Sequence, residues 1–457
     1  MLNNILKSRR NFEWTIFHLL LGVFSTISEW FLIGWFYIII ISSINGIISS
    51  LIIHNSLNKV IPFIIYLCSF EVLGRVIMAY PYIPWELSKY IIIAITSFLL
   101  ISGKVGKPNM TGVLIFLFLI PGMFIDKSHS VNFSELSLNL LGPISMSLIL
   151  IVIGGEKIND FDFNSLLRLL WYNSISVLIY VIFETPNYSE LSFSLNADFK
   201  ASGGFGSNQV ATILGLGMFF SFYAWMNKLL FSGLHVLDGF FIGLFAYQGF
   251  LTFSRGGMII GLVAILFYYL IYRSSKSFKR DTKTKRLRPL VLFFFAVIIL
   301  FSSYAIIQNL SRGNLALRYL GETETTLSGE KLKTLNTITT GRYSIIMSDL
   351  ELWYNNFSFG TGAGSSRFLR DIDLYGILAH TEPTRLLAEH GIFGLLIIIL
   401  MVFTVFKSFL INQYSTNRAI LVILGIIAIG TSLHSAMRTF VTPILLAISA
   451  MRITSDD

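Results

Sequence analysis

The sequence predicts an all-α polytopic membrane protein of about fourteen transmembrane segments, with one large loop subdomain on its outer side. Of its 457 residues, 54% are hydrophobic and only 13% charged. The mean hydropathy of +0.71 is foreign to a soluble globular domain. Apolar runs long enough to cross a hydrocarbon core of ~30 Å, which takes ~20 helical residues, recur from end to end. These runs lack the short alternating segments of a membrane barrel, so backbone groups have to be satisfied inside helices.

The runs lie near 13–28, 31–53, 60–79, 84–102, 110–125, 137–155, 164–184, 208–226, 229–252, 256–272, 289–307, 391–411, 417–435 and 439–453. A basic cluster, Lys7, Arg9 and Arg10, precedes the first, and no small-residue cleavage site follows it, so it reads as an uncleaved span. Cys68, the single cysteine, sits inside a run and leaves helix packing as the source of stability. The segment 273–288 carries Arg273, Lys276, Lys279, Arg280, Lys283, Lys285, Arg286 and Arg288 against Asp281 alone, which marks it as a cytoplasmic loop. The excess of 34 basic over 25 acidic residues thus reports topology and headgroup contact, and nucleic acid is not an expected partner.

Counting from that anchor puts both termini in the cytoplasm. Four features fall outside: 185–207, the turn 253–256, the turn after Tyr80, and a loop from about 308 to 390. The expected organisation is a helical bundle over 1–307, the outer loop with short helices over 308–390, and C-terminal transmembrane helices over 391–457.

The outer features gather the titratable groups. In AHTEPTRLLAEHGIFG, residues 379–394, Thr381 can cap a short helix, Pro383 suits its first turn and Gly391 can end it. Glu382, Arg385 and Glu389 are spaced three and four apart, for which a surface ion-pair ladder is the simpler reading. His380 stands ahead of that helix and can exchange a proton near neutral pH, which makes it the candidate base, with Glu382 next. Upstream, Tyr343, Ile346, Leu350 and Trp353 fall on one helical stripe. The glycines at 360, 362 and 364 read as a tight turn, because neither a preceding strand nor a following GK[ST] supports a nucleotide loop. Arg342 heads the stripe helix, and its planar fork suits a diphosphate.

Three more pieces complete the set. In LTFSRGG, Arg255 ends a span with two glycines behind it that allow close approach. Glu71 and Arg75 lie one turn apart inside a span, where ionisable residues mark a site, a pathway or a mutually neutralising pair; Glu86 and Lys89 extend the pattern. Asn208 and Gln209 open a span at the outer interface, where they can cap the helix or bind sugar hydroxyls. The seven histidines are scattered with no HExxH, so no metal or other cofactor is expected.

These pieces resemble the O-antigen ligase and O-antigen polymerase superfamily. The resemblance rests on LTFSRGG, on GGFGSNQVA at 203–211, on the Gly341–Arg342 pair followed by an apolar helix and GTGAG, and on AHTEPTRLLAEHGIFGLL at 379–396. It covers roughly the second half of the chain in motifs and nearly all of it in hydrophobic layout. It implies a GT-C type fold and metal-independent transfer, with inversion, of a glycan from undecaprenyl diphosphate to an acceptor hydroxyl at the outer face of a bacterial plasma membrane. The family's base matches His380. Its diphosphate-binding arginines match Arg255 and Arg342, with Arg75 as a third carry-over, and Asn208, Gln209, Arg385 and Glu71 are the expected glycan contacts. Thr381 stands where the family commonly has asparagine, and SNQ where it has NPN, which bears on the acceptor contacts.

The expected function is polymerisation of lipid-linked repeat units of a surface polysaccharide, with a chain-length-regulating protein as a further partner and membrane lipid all round. The nearest rival is a ligase that uses lipid A core as acceptor. A transporter coupled through Glu71 and Arg75 is the rival of another class, but it should show two related halves.

Overall fold

The computed structural model describes residues 2–52, 56–187, 191, 193–274, 283–411 and 417–454. Residues 275–282, the middle of the basic segment from which the topology was counted, lie outside the described residues. The first helices are α1 (Leu2–Ile27), α2 (Trp30–Ile52), α3 (Ile61–Val76), α4 (Leu87–Ile101), α5 (Met110–Met123), α6 (Phe133–Ile153) and α7 (Asp160–Glu184). Next come α8 (Ser207–Asn227), α9 (His235–Leu251), α10 (Arg255–Ser274) and α11 (Lys283–Leu310). Short helices follow: α12 (Asn314–Tyr319), α13 (Glu324–Leu327), α14 (Leu335–Ile338), α15 (Arg342–Asn355) and α16 (Glu382–His390). The chain closes with α17 (Ile392–Ile411), α18 (Arg418–Ser435) and α19 (Val441–Ser449).

Every apolar run read from the sequence falls on a helix. Among the described residues nine helices are long and apolar enough to cross a membrane: α2, α3 with its preceding turn, α6, α7, α8, α10, α11, α17 and α18. The remaining runs are shorter or more polar. Helices α4, α5 and α9 have 15, 14 and 17 residues, which at ~1.5 Å per residue falls short of a ~30 Å core.

Burial follows composition. Helix α3 is buried almost throughout, and α8 lies at the centre against α7, α9 and α10. By contrast α2, α11 and α17 leave Ile41, Phe301 and Phe406 exposed. Each such side chain left in water forgoes ~1.5 to 3 kcal/mol, so this flank suits hydrocarbon. The only strand pairing among the described residues joins Lys157–Asn159 in parallel to Arg452–Thr454, which the hydropathy pattern gives no hint of.

Helices α8 and α10 touch backbone to backbone. A Cβ on Gly257 would lie 2.3 Å from the Ala211 carbonyl carbon, and one on Gly215 2.3 Å from the Gly257 oxygen. Small residues allow such approach where lipid supplies no hydrophobic drive. Gly257→Ala is therefore expected to part the two helices at a cost of about 1–3 kcal/mol, read as a lower unfolding temperature in lipid nanodiscs.

Between α11 and α17 the chain packs over one end of the bundle. The glycines of GTGAG do form a tight turn, with φ of 75, 99 and 85° at Gly360, Gly362 and Gly364. Its N–H groups are used internally: Thr361 donates to Ala388 O at 2.9 Å, Gly362 to Glu389 O at 3.0 Å and Ala363 to Gly122 O at 2.9 Å. The turn thus closes the C-terminal end of α16, a use that leaves these amides no phosphate to hold.

Candidate active site

Four chain segments meet at the N-terminal end of α8. Ser207, Asn208 and Gln209 from its first turn, Ala197 and Gly206 from the preceding loop, His380 from the loop before α16, and Ser435 and Arg438 from the turn between α18 and α19 line a cavity of about 170 Å³. One main-chain bond and one side-chain bond lace the last two segments together. Ala436 N–H donates to His380 O at 3.1 Å, and Arg438 Nη2 donates to Ala379 O at 3.2 Å.

Neither Asn208 nor Gln209 caps its helix. Asn208 Oδ1 accepts from Ser254 Oγ at 2.9 Å, and Gln209 Oε1 accepts from Arg75 Nη1 at 2.5 Å. His380 is half-buried, and its pKa is lowered to about 4 by burial and then by the charges of Arg438 and Arg342. At neutral pH its imidazole is accordingly neutral and able to accept a proton.

The arginines divide into two groups by what they touch. Arg75, Arg367, Arg370 and Arg385 each pair with a carboxylate. Arg255, Arg318, Arg342 and Arg438 do not: among the described residues no carboxylate lies within 4 Å of them. They grip main-chain oxygens instead. Arg255 donates to Arg318 O at 3.2 Å and Ile338 O at 2.6 Å, Arg342 to His434 O at 3.2 Å, and Arg318 Nε to Phe253 O at 3.4 Å. Arg318 Nη1 is buried with no hydrogen-bond partner among the described residues. Burial and the neighbouring Arg255 and Arg342 lower the Arg318 pKa to about 10, while burial, Arg255 and Arg438 lower that of Arg342. Arg255, Arg318 and Arg342 repel one another and are held by carbonyls, a site in want of an anion; Arg438 repels Arg342 but also feels the more distant carboxylates of Glu382 and Glu86.

The glycines of LTFSRGG serve this cluster by making room. A Cβ on Gly256 would lie 2.3 Å from His434 Cδ2, so the ring packs directly behind Arg255. His434 in turn contacts Thr212 Oγ1 at 3.1 Å and offers its carbonyl to Arg342.

Arg75 and Glu71 stand behind the cavity rather than in its lining. Arg75 Nε donates to Trp85 O at 2.6 Å, Nη1 to Gln209 and to Arg438 O at 2.7 Å, and Nη2 to Glu71 at 2.8 Å, with Glu86 at 3.4 Å. Glu71 accepts from Phe440 N–H at 2.8 Å, and Lys89 joins Glu71 at 3.6 Å and also pairs with Glu86. The quartet grips one wall through Gln209 and the other through the 438–440 turn.

The ladder of α16 is no surface feature. Glu382 and Glu389 are both buried, and Arg385 pairs with Glu382 and, at 3.2 Å, with Glu389. Ser366 Oγ and Asn139 Nδ2 also donate to Glu389, at 2.9 and 3.3 Å. Because α6 and the segment after the glycine turn cover this face, the spacing that suits an exposed pair here ties three segments together. The helix itself begins and ends as expected, although the Thr381 hydroxyl bonds Thr384 Oγ1 instead of a backbone N–H. On α15 the buried positions are Ile345 and Asp349, not the stripe of Tyr343, Ile346, Leu350 and Trp353. Asp349 takes Arg370 Nη2 at 2.7 Å, and Arg370 Nη1 holds Ile377 O at 2.5 Å, close ahead of His380.

An apolar groove of about 410 Å³ between α9, α10 and α11 lies beside this cluster. Phe250, Leu266, Phe293, Phe301 and Tyr304 line it together with Tyr319, the chain neighbour of Arg318. Sequence reasoning missed Arg318, Arg438 and His434. Arg438 carried the same signal as Arg255, an arginine at the end of an apolar run. Among the described residues no three His, Cys, Asp or Glu side chains are placed to hold a metal ion.

Residues 239–399 match the family model described as O-antigen ligase. No curated protein matches the chain. The matched segment contains Arg255, Arg318, Arg342 and His380; Arg75, Asn208, Gln209 and Arg438 lie outside it.

Proposed function

We propose that the protein, whose residues 239–399 match the O-antigen ligase family model, is a glycosyltransferase of the O-antigen ligase and polymerase superfamily that polymerises undecaprenyl-diphosphate-linked repeat units. It does so at the outer face of a bacterial plasma membrane, with both termini in the cytoplasm. One observation carries this reading. His380 lines a polar cavity of about 170 Å³ together with Arg438 and also feels the charge of Arg342, and among the described residues neither arginine has a carboxylate within 4 Å.

In this reading the polyprenyl chain of the donor lies in the apolar groove that Tyr319 helps to line, and Arg255, Arg318 and Arg342 hold its diphosphate. The acceptor hydroxyl, held in the cavity, attacks the anomeric carbon. The bond from that carbon to the diphosphate oxygen breaks with inversion, its electron pair leaves with the lipid diphosphate, and the hydroxyl proton passes to His380. Stabilising the departing charge falls to guanidinium groups already fixed in place, so little reorganisation is needed at the moment of reaction. Arg75, Glu71 and the Glu382–Arg385–Glu389 ladder act as positioning residues.

Purified protein reconstituted with synthetic lipid-linked repeat units, without nucleotide or added metal, is expected to yield a ladder of products. Arg342→Gln should weaken donor use by about tenfold or more, as loss of a charge-assisted contact implies. The family description favours one second reading, transfer of the glycan to a separate acceptor such as lipid A core. Product formed only when that acceptor is added would select the ligase, and no transfer to either acceptor would defeat both.

A further inference from the structure

Arg438 belongs to no contact that the fold requires of its guanidinium beyond one bond to Ala379 O. Its main chain, in contrast, is pinned: the carbonyl accepts from Arg75 at 2.7 Å and from Lys89 at 3.4 Å. The side chain is thereby held in the wall of the cavity, half-buried, with no carboxylate within 4 Å among the described residues.

The rest of the lining has the same bias. Asn208 and Gln209 are amides with both donor and acceptor ends, but Ser254 occupies the oxygen of the first and Arg75 that of the second. With each oxygen already accepting one bond, the group that each has wholly free to offer a ligand is its NH2. Two amide donors and a guanidinium fork thus line a cavity of about 170 Å³; the Ser435 hydroxyl, without a partner among the described residues, can serve in either sense, while Ser207, which donates to Asp198 O at 3.0 Å, offers lone pairs only. A neutral sugar presents donors and acceptors alike and would leave this donor surplus unmatched; a carboxylate, which only accepts, matches it.

We propose that this cavity is the acceptor subsite and that it selects an acidic sugar unit, whose ring carboxylate is held by Arg438 with the amide NH2 groups of Asn208 and Gln209. The attacking hydroxyl of that unit faces His380. Arg255, Arg318 and Arg342 remain for the leaving diphosphate, as displacement with inversion demands that nucleophile and leaving group stand on opposite sides of the anomeric carbon. The hydroxyl's fate rests on the transferase reading given above; recognition of the carboxylate does not.

The test uses the full-length protein in nanodiscs and, as probes, the methyl glycosides of glucuronate, galacturonate and mannuronate, each against its neutral parent sugar. Binding is followed by saturation-transfer NMR and competition. Wild type is expected to prefer at least one acid over its parent by about tenfold or more, the range of a charge-assisted bidentate contact. Arg438→Gln should erase the preference and keep the parent's weak binding, and Arg438→Lys, which preserves charge without the fork, should restore part of it. Equal binding of every acid and its parent by wild type overturns the proposal, as does a preference that survives in Arg438→Gln. Inorganic diphosphate that displaces the acid from Arg342→Gln protein as readily as from wild type would assign Arg438 to the leaving group and also overturn it. Release of polyprenyl diphosphate from donor is measured alongside. Acid preference without release would leave the subsite standing and remove the transferase reading; release without preference would do the reverse.

Discussion

Replacing His380 with alanine is expected to lower turnover by ~100- to 10,000-fold, the span of general-base assistance, while donor affinity stays within a few-fold. The pH dependence gives a sharper check. Only the neutral imidazole can take the acceptor's proton, so activity rises as pH rises through the His380 pKa and is flat above it. In the free protein that pKa is held near about 4 by burial, Arg438 and Arg342, so the acid limb of kcat/KM should fall there. A bound diphosphate offsets the arginine charges and moves the pKa upward, and the acid limb of kcat should therefore lie at higher pH. Acid limbs that coincide in the two profiles, or a limb that persists unchanged in His380→Ala, would remove the imidazole from the reaction and bring Glu382 forward.

The second large effect concerns stability. Arg75→Ala leaves Glu71 buried without its closest cation, and breaking one partner of a buried pair costs about 3–5 kcal/mol. Arg75 also bridges Gln209 to the Arg438 carbonyl, so the cavity should lose its shape before the helices lose theirs. We expect a marked fall in unfolding temperature and loss of transfer even under conditions where the variant remains folded. Glu71→Gln combined with Arg75→Gln removes both charges together and should cost less than the two single changes summed. Strict additivity would mean that the two side chains act independently and that the clamp does not exist as a unit.

Much of the architecture was legible because hydrocarbon imposes one rule on every span. Apolar length alone placed each helix from α1 to α11 and from α17 to α19, and Pro383 with Gly391 marked α16 to within a residue. His380, Asn208 and Gln209 were legible as polar residues at helix starts that packing did not require, and they do share one cavity. The role of Arg75 was not legible, because its partners Gln209 and Arg438 stand 134 and 363 positions away. Nor was the burial of the α16 ladder. Spacing of three and four is the same on a covered helix as on an open one, and what covers this one comes from Asn139 and Ser366. The stripe on α15 misled for a related reason: Asp349 is drawn inward by Arg370, and that ion pair outweighs the apolar periodicity of the neighbouring face.

The cationic cluster is anchored on the oxygens of residues 318, 338, 379 and 434, and a carbonyl is a feature of every amino acid. The side chains of Ile338 and Ala379 therefore take no part in aiming Arg255 and Arg438; their main chain does. A scan that truncates side chains to alanine would leave both anchoring oxygens in place, and at Ala379 it would change nothing. Moving the main chain there, by an inserted residue or a proline, is what would misdirect the charges.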